Sequence, residues 1–286
     1  YEKSKFSNIS ESQMIADLTG KNALITGAAS GLGKGIAKVL AQQGALIIVA
    51  DIDGEEAKLA ANEFINLGYQ AISVQMDVTS IDSVDKAVSK ASNQIGHIDK
   101  LVNNAGVIGA PGWHERLEVT EEDWDFTFNV NVKGIVHVTD RIQDDMINGA
   151  HGSIVNIASV AGKMGNPDRP NYNASKAAAI SYTKSSALKL SKFNINVNCI
   201  CPGNIWTPMW DKISMRQFNF GSEIFSEFSD IKNNRELFQR VTELSTPLKR
   251  DQSADDIGYA AAFLLSDAAK NITGQSINVD GGRVMG

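Results

Sequence analysis

Cysteine is scarce in this sequence. Cys199 and Cys201, in the stretch NVNCICPG, are the only two among 286 residues. Two thiols provide neither a disulfide framework nor a complete set of zinc ligands. Because alternate residues of a strand point to the same face of a sheet, we expect both thiols on one face. The pair is interpreted as buried structural cysteine, which fits a reducing cytosol.

Long apolar runs and basic clusters are also lacking. No hydrophobic stretch approaches the length of a membrane span, and the first 18 residues lack the apolar centre of a secretory signal. A formal net charge of −6 without a basic cluster argues against a nucleic acid or an anionic membrane as partner. The four histidines show no paired spacing for metal ligands, so we predict no catalytic metal. We expect a cytoplasmic protein.

The sequence does contain a regular alternation of short apolar strands and helices. Val, Ile and Leu occupy both faces of the strands, which indicates a parallel sheet with helices on both sides. The pattern predicts an α/β fold in one domain, a doubly wound parallel sheet of the Rossmann type. Strands are predicted at 22–26, 45–51, 71–77, 100–106, 152–159, 195–203 and 275–282, and helices at 31–43, 54–67, 80–95, 120–148, 171–192 and 253–266.

The N-terminal 18 residues are polar and mixed in charge. They predict a mobile arm, with a functional tail as the alternative. The dinucleotide-binding catalytic domain is accordingly predicted to cover residues 19–286.

A glycine cluster follows the first strand and opens the first helix. Gly27, Gly31 and Gly33 in ITGAASGLGKGIA are spaced G-x3-G-x-G, with Ser30 and Leu32 between them. Positions without a Cβ let backbone N–H groups and the positive end of the helix approach a pyrophosphate. These five residues are therefore candidate dinucleotide contacts, and a tight strand–helix turn is the alternative.

Asp51 ends the second strand. An acidic side chain at this position can hydrogen-bond a ribose 2′-OH and repel a 2′-phosphate. Neither Ser30 nor Ile52, the residue after the aspartate, is basic, so no cation is placed to neutralise an extra phosphate. The predicted cofactor is therefore NAD rather than NADP. Asp53 lies beyond the strand and is interpreted as a helix cap.

The pattern Y-x-x-S-K occurs twice. In NYNASK, Tyr172 begins a helix, Lys176 follows one turn later on the same face, and Ser159 closes the preceding strand. A phenol with a pKa of about 10 is a poor base at neutral pH, and a nearby ammonium lowers that pKa. The serine hydroxyl can hold a carbonyl or alkoxide oxygen beside the phenol. The copy from Tyr1 to Lys5 precedes the first strand and has no such partner, so it is interpreted as chance.

Five motifs occur in series: Gly27-x3-Gly31-x-Gly33, Asn103-Asn104-Ala105-Gly106, Ser159, Tyr172-x3-Lys176 and Pro202-Gly203. In order and spacing the sequence resembles the short-chain dehydrogenase/reductase family over about residues 18–286. The resemblance implies that Tyr172 is the general acid/base, that Lys176 lowers its pKa and holds the nicotinamide ribose, and that Ser159 orients the substrate oxygen. It also implies a homotetramer.

The resemblance implies further roles. Asn131 in NVNVKG matches the asparagine that anchors a proton-relay water, with an ordinary polar helix residue as the alternative. Asn103 is expected to stabilise the central strand, and Asp77 is alternatively a strand-end cap. The implied cofactor contacts are Asp77 and Val78 at the adenine, Asn104, Ala105 and Gly106 on the adenosine side, Pro202 and Gly203, and Ile205 and Thr207 at the carboxamide.

Residues 204–248 resemble a helical substrate lid rich in aromatic side chains. Trp206, Met209 and Trp210 are predicted to shape a small or medium pocket, and packing of the lid onto the body is the alternative role of the aromatics. Arg169 either neutralises an anionic substrate group or lies at the surface.

The stretch PGNIWTPMW resembles polyol and diol dehydrogenases of the family. The predicted function is hydride transfer between NAD(H) and a secondary alcohol or ketone, such as a polyol, a diol or a similar small hydroxy compound. The alternatives are an NADPH-dependent carbonyl reductase of the 3-oxoacyl-carrier-protein type and a nucleotide-binding scaffold without turnover.

Overall fold

One parallel sheet organises the molecule. The computed structural model describes residues 15–221 and 231–286. Its strands are β1 Asn22–Thr26, β2 Leu46–Asp51, β3 Ala71–Gln75, β4 Lys100–Asn103, β5 Gly152–Ile157, β6 Ile195–Pro202 and β7 Ser276–Val279. They pair in parallel in the order β3-β2-β1-β4-β5-β6-β7. The order reverses between β1 and β4, the switch point at which such sheets bind ligands at the carboxyl ends of the strands.

Helices cover both faces of the sheet, as predicted. They are α1 Gly31–Gln42, α2 Gly54–Asn66, α3 Ile81–Ile95, α4 Glu121–Phe128, α5 Gly134–Asn148, α6 Pro170–Leu190, α7 Pro208–Phe220, α8 Asn234–Ser245 and α9 Ala254–Leu265. Ile25 of β1 belongs to the apolar core beneath α1, α2 and α9, whereas the adjacent Leu24 belongs to the core beneath α3, α5 and α6. Consecutive strand residues thus enter opposite cores, which explains why the strands are apolar on both faces.

β1 and β2 end where predicted, whereas β3 to β7 end earlier than predicted. β4 ends at Asn103 rather than at residue 106, and β7 ends at Val279 rather than at residue 282. After β4, the chain leaves the sheet and Gly106 borders the central cleft described below. Main-chain hydrogen bonding therefore stops where the chain begins to form a binding surface.

The predicted single helix at 120–148 is wrong in one respect. A wider π-helical turn, Asn129–Lys133, separates α4 from α5 and contains the predicted site residue Asn131. Such insertions are often found at functional sites. Within residues 15–221 and 231–286, no helix is long and apolar enough to cross a membrane.

The packed body begins earlier than the predicted boundary at residue 19. Ala16 and Leu18 are buried, and the Gln43 side chain accepts hydrogen bonds from the backbone N–H groups of Ile15 and Ala16. Residues 15–18 therefore belong to the domain, because their apolar side chains fill part of the core beneath α1. Most of the predicted arm, including the Tyr1–Lys5 pattern, lies outside the described residues.

Candidate active site

The glycine loop places the start of α1 against the carboxyl end of β1. Gly27 and Gly31 have backbone φ angles of +64° and +54°, which favour glycine. A Cβ at Gly33 would collide with the Gly27 carbonyl oxygen and the Asn104 side-chain amide. Ser30 precedes the helix without a side-chain cap, so its first N–H groups face the loop as donors for an anion. This cradle fits the pyrophosphate of a dinucleotide.

The side chain of Asn104 holds the glycine loop in place. Its side-chain amide donates to the carbonyl oxygens of Thr26 and Gly27 at 2.9 and 3.1 Å. The backbone N–H groups of Asn104 and Ala105 both donate to the Thr26 hydroxyl at 3.0 Å. The loops after β1 and β4 are therefore held together at the switch point.

Asp51 lies at the end of β2, as predicted. One of its carboxylate oxygens accepts from the N–H of Ala29 at 3.0 Å, and the other accepts from the N–H of Asp53 at 3.2 Å. This geometry holds the charge beside the glycine loop. Asp53 accepts from the N–H groups of Glu55 and Glu56, which confirms its role as the cap of α2.

A cleft of about 820 Å³ runs from the glycine loop to α7. The predicted residues that line it are Gly27, Ser30, Gly31, Leu32, Gly33, Asp51, Asn104, Ala105, Gly106, Ser159, Tyr172, Lys176, Pro202, Gly203, Ile205, Thr207, Met209 and Trp210. The predicted residues that do not line it are Ile52, Asp77, Val78, Asn131 and Trp206. Most of the candidate residues thus converge on one cavity, although they come from distant parts of the chain.

Ser159, Tyr172 and Lys176 meet at the carboxyl end of β5. The Lys176 ammonium is 5.7 Å from the centre of the Tyr172 ring and donates to the Ile157 carbonyl oxygen at 2.9 Å. Lys176 is only 3% exposed. Burial lowers its pKa to about 8, against the smaller opposing effect of the thiols of Cys199 and Cys201. Both cysteines are buried on the same side of β6, which confirms their predicted placement.

Opposing effects act on the pKa of Tyr172. Burial raises the pKa of the phenol, and the effects that lower it come from the Ser159 hydroxyl and the positive charge of Arg169. The Lys176 ammonium donates to the Ile157 carbonyl oxygen, and its lowering of the Tyr172 pKa stays a prediction. Arg169 has an electrostatic role that the spacing of the motif did not reveal.

Asn131 holds the site from behind rather than lining it. Its side-chain oxygen accepts from the Val107 N–H at 2.8 Å. Its side-chain NH2 group donates to the Val107 carbonyl oxygen at 2.8 Å and to the Ser175 hydroxyl at 2.9 Å. Ser175 in turn donates to the Tyr172 carbonyl at 2.8 Å. The π-helical turn is thereby linked to the backbone of Tyr172. Anchoring of a relay water by Asn131 stays a prediction.

The predicted adenine contacts occupy a turn outside the cleft. The Asp77 carboxylate accepts from the N–H and hydroxyl of Thr79, which is the capping geometry given above as its alternative role. The Val78 carbonyl contacts the His137 ring at 2.9 Å. Ile52 is 64% exposed beside Asp51. Cofactor contacts by these three residues stay predictions.

Asn103 is structural, in agreement with its predicted role. Its amide donates to Thr139 and Asn156 at 3.1 and 2.9 Å, and Asn156 donates to Thr183 at 2.9 Å. This buried network joins β4 and β5 to α5 and α6.

The predicted lid contains two kinds of aromatic residue. Trp210 lines the cleft and packs on Phe238, with the ring centres 5.0 Å apart. Trp206, predicted as a pocket residue, instead packs between Phe238 and the guanidinium of Arg235. Trp206 therefore packs the lid onto the body, which is the alternative role given above for the lid aromatics. Thr207 caps α7 by accepting from the Trp210 N–H, and residues 222–230 of the lid lie outside the described residues.

Two arginines line the cleft, of which Arg169 was considered above as a possible site residue and Arg283 was not. Arg169 lies between Ser159 and Tyr172 in the chain, and its place at the cleft is compatible with the first of the two roles given above. Arg283 follows the last strand, and no sequence signal indicated it.

The spacing of the histidines in the sequence did not reveal one cluster of potential metal ligands. His97, Asp99 and His151 bring one potential ligand atom each within 4.8 Å of one another. They lie at the amino ends of β4 and β5, opposite the cleft. His151 contacts Asp99 at 3.2 Å, and Asp99 also accepts from the Asn22 N–H. These contacts account for the cluster without a metal ion, and the absence of a catalytic metal stays a prediction.

Comparison with known proteins identifies the class. Residues 21–217 match the family described as short chain dehydrogenase, and residues 225–283 match the family described as enoyl-(acyl carrier protein) reductase. A 3-oxoacyl-[acyl-carrier-protein] reductase FabG from Thermotoga maritima is 38% identical over 269 residues, covering 94% of this chain and 99% of that protein.

Solved structures agree in fold. An NAD+-bound xylitol dehydrogenase is 34% identical with a TM-score of 0.83, covering 92% of this chain and 99% of that one. A gluconate 5-dehydrogenase from Burkholderia cenocepacia, in complex with NADP and tartrate, is 31% identical with a TM-score of 0.78, covering 93% and 96%. The chain belongs to the short-chain dehydrogenase family. It is an oxidoreductase of that family, which uses a nicotinamide cofactor.

Proposed function

We propose that this chain is an NAD(H)-dependent oxidoreductase that interconverts a secondary alcohol and a ketone. The observation that carries the proposal is that Ser159, Tyr172 and Lys176 line the same cleft as the glycine loop and Asp51. A proton carrier thus shares one cavity with a cradle that fits a dinucleotide. The proposed substrate is a polyol, a diol or a similar small hydroxy compound.

Tyr172 is the proposed general acid/base. A bound nicotinamide supplies the hydride acceptor or donor for such a reaction. The Tyr172 phenolate takes the proton of the alcohol during oxidation, and the resulting Tyr172 hydroxyl returns a proton during reduction. Ser159, at the end of β5, holds the substrate oxygen beside it. Ser159 and Arg169 both favour the phenolate form and so oppose the effect of burial on the pKa of Tyr172.

Asp51 supports NAD as the cofactor. Its carboxylate is held by two backbone N–H groups at the glycine loop, where a 2′-phosphate would meet a negative charge. The cations among the described lining residues, Arg169, Lys176 and Arg283, belong to other parts of the cleft. The NAD+-bound xylitol dehydrogenase agrees with this choice and with a polyol substrate, whereas the gluconate 5-dehydrogenase holds NADP.

An absorbance screen tests the function. Alcohols, alditols and ketones are assayed with NAD(H) and NADP(H) side by side. Tyr172→Phe is expected to lower kcat by at least about a hundredfold, because it removes the proton carrier. Tyr259→Phe is the matched control, since Tyr259 is exposed on α9. Retained turnover by Tyr172→Phe would remove the assignment of the acid/base.

The second candidate is a carbonyl reductase of the 3-oxoacyl-carrier-protein type. It is favoured by the similarity to the Thermotoga maritima reductase. Reduction of a 3-oxoacyl thioester with NADPH at least as fast as with NADH would support it over the first. Cofactor binding without turnover of any substrate would instead support the scaffold.

We also propose that the chain forms a homotetramer in the cytoplasm. Family resemblance supports the tetramer, and the free, buried thiols of Cys199 and Cys201 are compatible with a reducing compartment. Light scattering measures the assembly directly, and a monomeric mass would contradict it. Cell fractionation tests the compartment.

A further inference from the structure

Arg169 places a positive charge at the reacting end of the cleft. It immediately precedes α6 and lines the cavity together with Tyr172. Its charge lowers the pKa of Tyr172, as noted above, and the ionised phenol acts in return to raise the pKa of Arg169, against the larger lowering effect of burial. Arg169 and Tyr172 are three residues apart at the start of α6 and line one cavity, so a ligand held at the phenol also lies beside the guanidinium.

Two other arginines near this end of the cleft already donate hydrogen bonds to oxygen atoms of the protein. Arg216 donates to the backbone carbonyl oxygens of Arg116 and Leu117 at 3.0 and 2.6 Å. Arg283 donates to the Asn204 side-chain oxygen. In contrast, the described part of the chain provides no carboxylate within 4.0 Å of the Arg169 guanidinium, although the charge of Asp168 is near enough to favour its protonated form.

The charges that line the cleft are unevenly distributed. The lining carboxylates among the described residues are Asp51, at the glycine loop, and Asp168, beside Arg169. The lining cations are Arg169, Lys176 and Arg283. Positive charge thus exceeds negative charge around Tyr172. A partly buried guanidinium without a close counterion is costly, and a ligand carboxylate can satisfy its planar N–H groups in pairs.

We propose that the substrate is a hydroxy acid or the corresponding keto acid, whose carboxylate binds Arg169 while its reacting oxygen faces Tyr172 and Ser159. This inference rests on the proposed oxidoreductase function and narrows its substrate class. Arg169 acts as a specificity-determining residue. The carboxylate must lie near the carbinol carbon, since the guanidinium and the phenol belong to the same turn at the start of α6.

Matched substrates isolate the carboxylate. Aldonates and the alditols of equal carbon number differ by a carboxylate in place of a hydroxymethyl group. Wild-type kcat/KM is expected to favour the aldonates. Arg169→Gln is expected to lower the ratio of the aldonate to the alditol kcat/KM by about ten- to a hundredfold, through loss of charged hydrogen bonds. The ratio cancels any general effect on Tyr172. Arg169→Lys should restore part of it, and Arg240→Gln, exposed beside Glu243, is the control arginine.

Binding without turnover gives an independent readout. Isothermal titration calorimetry with an aldonate is expected to show a Kd at least about tenfold weaker in Arg169→Gln than in wild type. Equal or better turnover of alditols by the wild type, or an unchanged ratio and Kd in Arg169→Gln, would overturn the inference and leave the oxidoreductase intact. Arg169-dependent aldonate binding without turnover of any alcohol or ketone would support the anion site and refute the proposed function.

Discussion

Substitution of Lys176 by Met tests the electrostatics of the site. The ammonium is buried and its pKa is lowered from the ordinary value of 10.5 to about 8, with burial as the main cause. In the unfolded chain the same group titrates near its ordinary value. Between these two pKa values the unfolded state therefore holds a proton that the folded state has released, so the free energy of unfolding rises with pH.

The size of the effect follows from the two pKa values. At about 1.4 kcal/mol per pH unit, the lowering to about 8 corresponds to a penalty of about 3 kcal/mol on the charged folded form. That penalty is fully present below the folded pKa and is removed as the pH rises through the window up to 10.5. Lys176→Met has no such pH-dependent penalty, because the methionine side chain has a similar length but cannot ionise. It also leaves the Ile157 carbonyl without its donor, which is a cost that does not depend on pH.

Urea unfolding, followed by circular dichroism, measures the difference. From about pH 7 to about pH 10, wild type is expected to gain about 2 to 3 kcal/mol relative to Lys176→Met. Both proteins are compared at one concentration, since assembly affects apparent stability. Lys184→Met removes an exposed ammonium from the same helix and measures the effect of losing any lysine. Parallel curves for wild type and Lys176→Met would refute the effect of burial.

Three further predictions concern the loop, the cofactor and the bonds behind the site. Gly33→Ala is expected to lower the free energy of unfolding by about 1–3 kcal/mol, because the added Cβ meets backbone atoms. Gly165→Ala is the control, since a Cβ there meets open space. Thermal unfolding compares the two variants, and equal Tm values would contradict the steric argument. Asp51→Asn is expected to lower the KM for NADP at least about tenfold, because it removes a negative charge that repels the 2′-phosphate. Initial-rate kinetics measure this KM, and an unchanged value would count against a position of Asp51 beside the ribose. Asn131→Ala is expected to lower the free energy of unfolding in urea by at least about 2 kcal/mol, because it leaves the N–H and the carbonyl of Val107 without hydrogen-bond partners. A smaller loss would mean that water replaces the lost hydrogen bonds.

The sheet could be predicted because its strands are apolar on both faces. The predicted first strand matches β1 residue for residue, and the glycine loop and Asp51 follow from their places after β1 and β2. These features are local: a strand ends, a turn needs glycine, and the next helix begins. The predicted residues Ser159, Tyr172 and Lys176 could be assigned for a similar reason, since parallel strands bring their carboxyl ends to one edge.

Non-local packing accounts for what the sequence did not reveal. Trp206 lies close to the predicted nicotinamide contacts in the chain, but its ring packs on Phe238, a residue 32 positions away by the numbering of the sequence. Asn131 looked like a residue of a continuous helix, whereas its side chain pairs with the backbone of Val107.

The buried side of α6 shows how the site is held. Periodic apolar residues would not identify this side, because several of its buried residues are polar: Asn171, Asn173, Ser175, Lys176 and Thr183. Each donates to a carbonyl oxygen, on Ile108, Met164, Tyr172, Ile157 and Ala179 respectively. The bonds of Ser175 and Thr183 stay within α6, whereas those of Asn171, Asn173 and Lys176 reach residues outside it. Apolar side chains would fill the same volume with less directional constraint, whereas these three outward bonds fix the rotation and the register of the helix. The first turn of α6 carries Tyr172 and is bonded to the loops beside it, so the orientation of the proposed acid/base is determined by the same contacts that bury the helix.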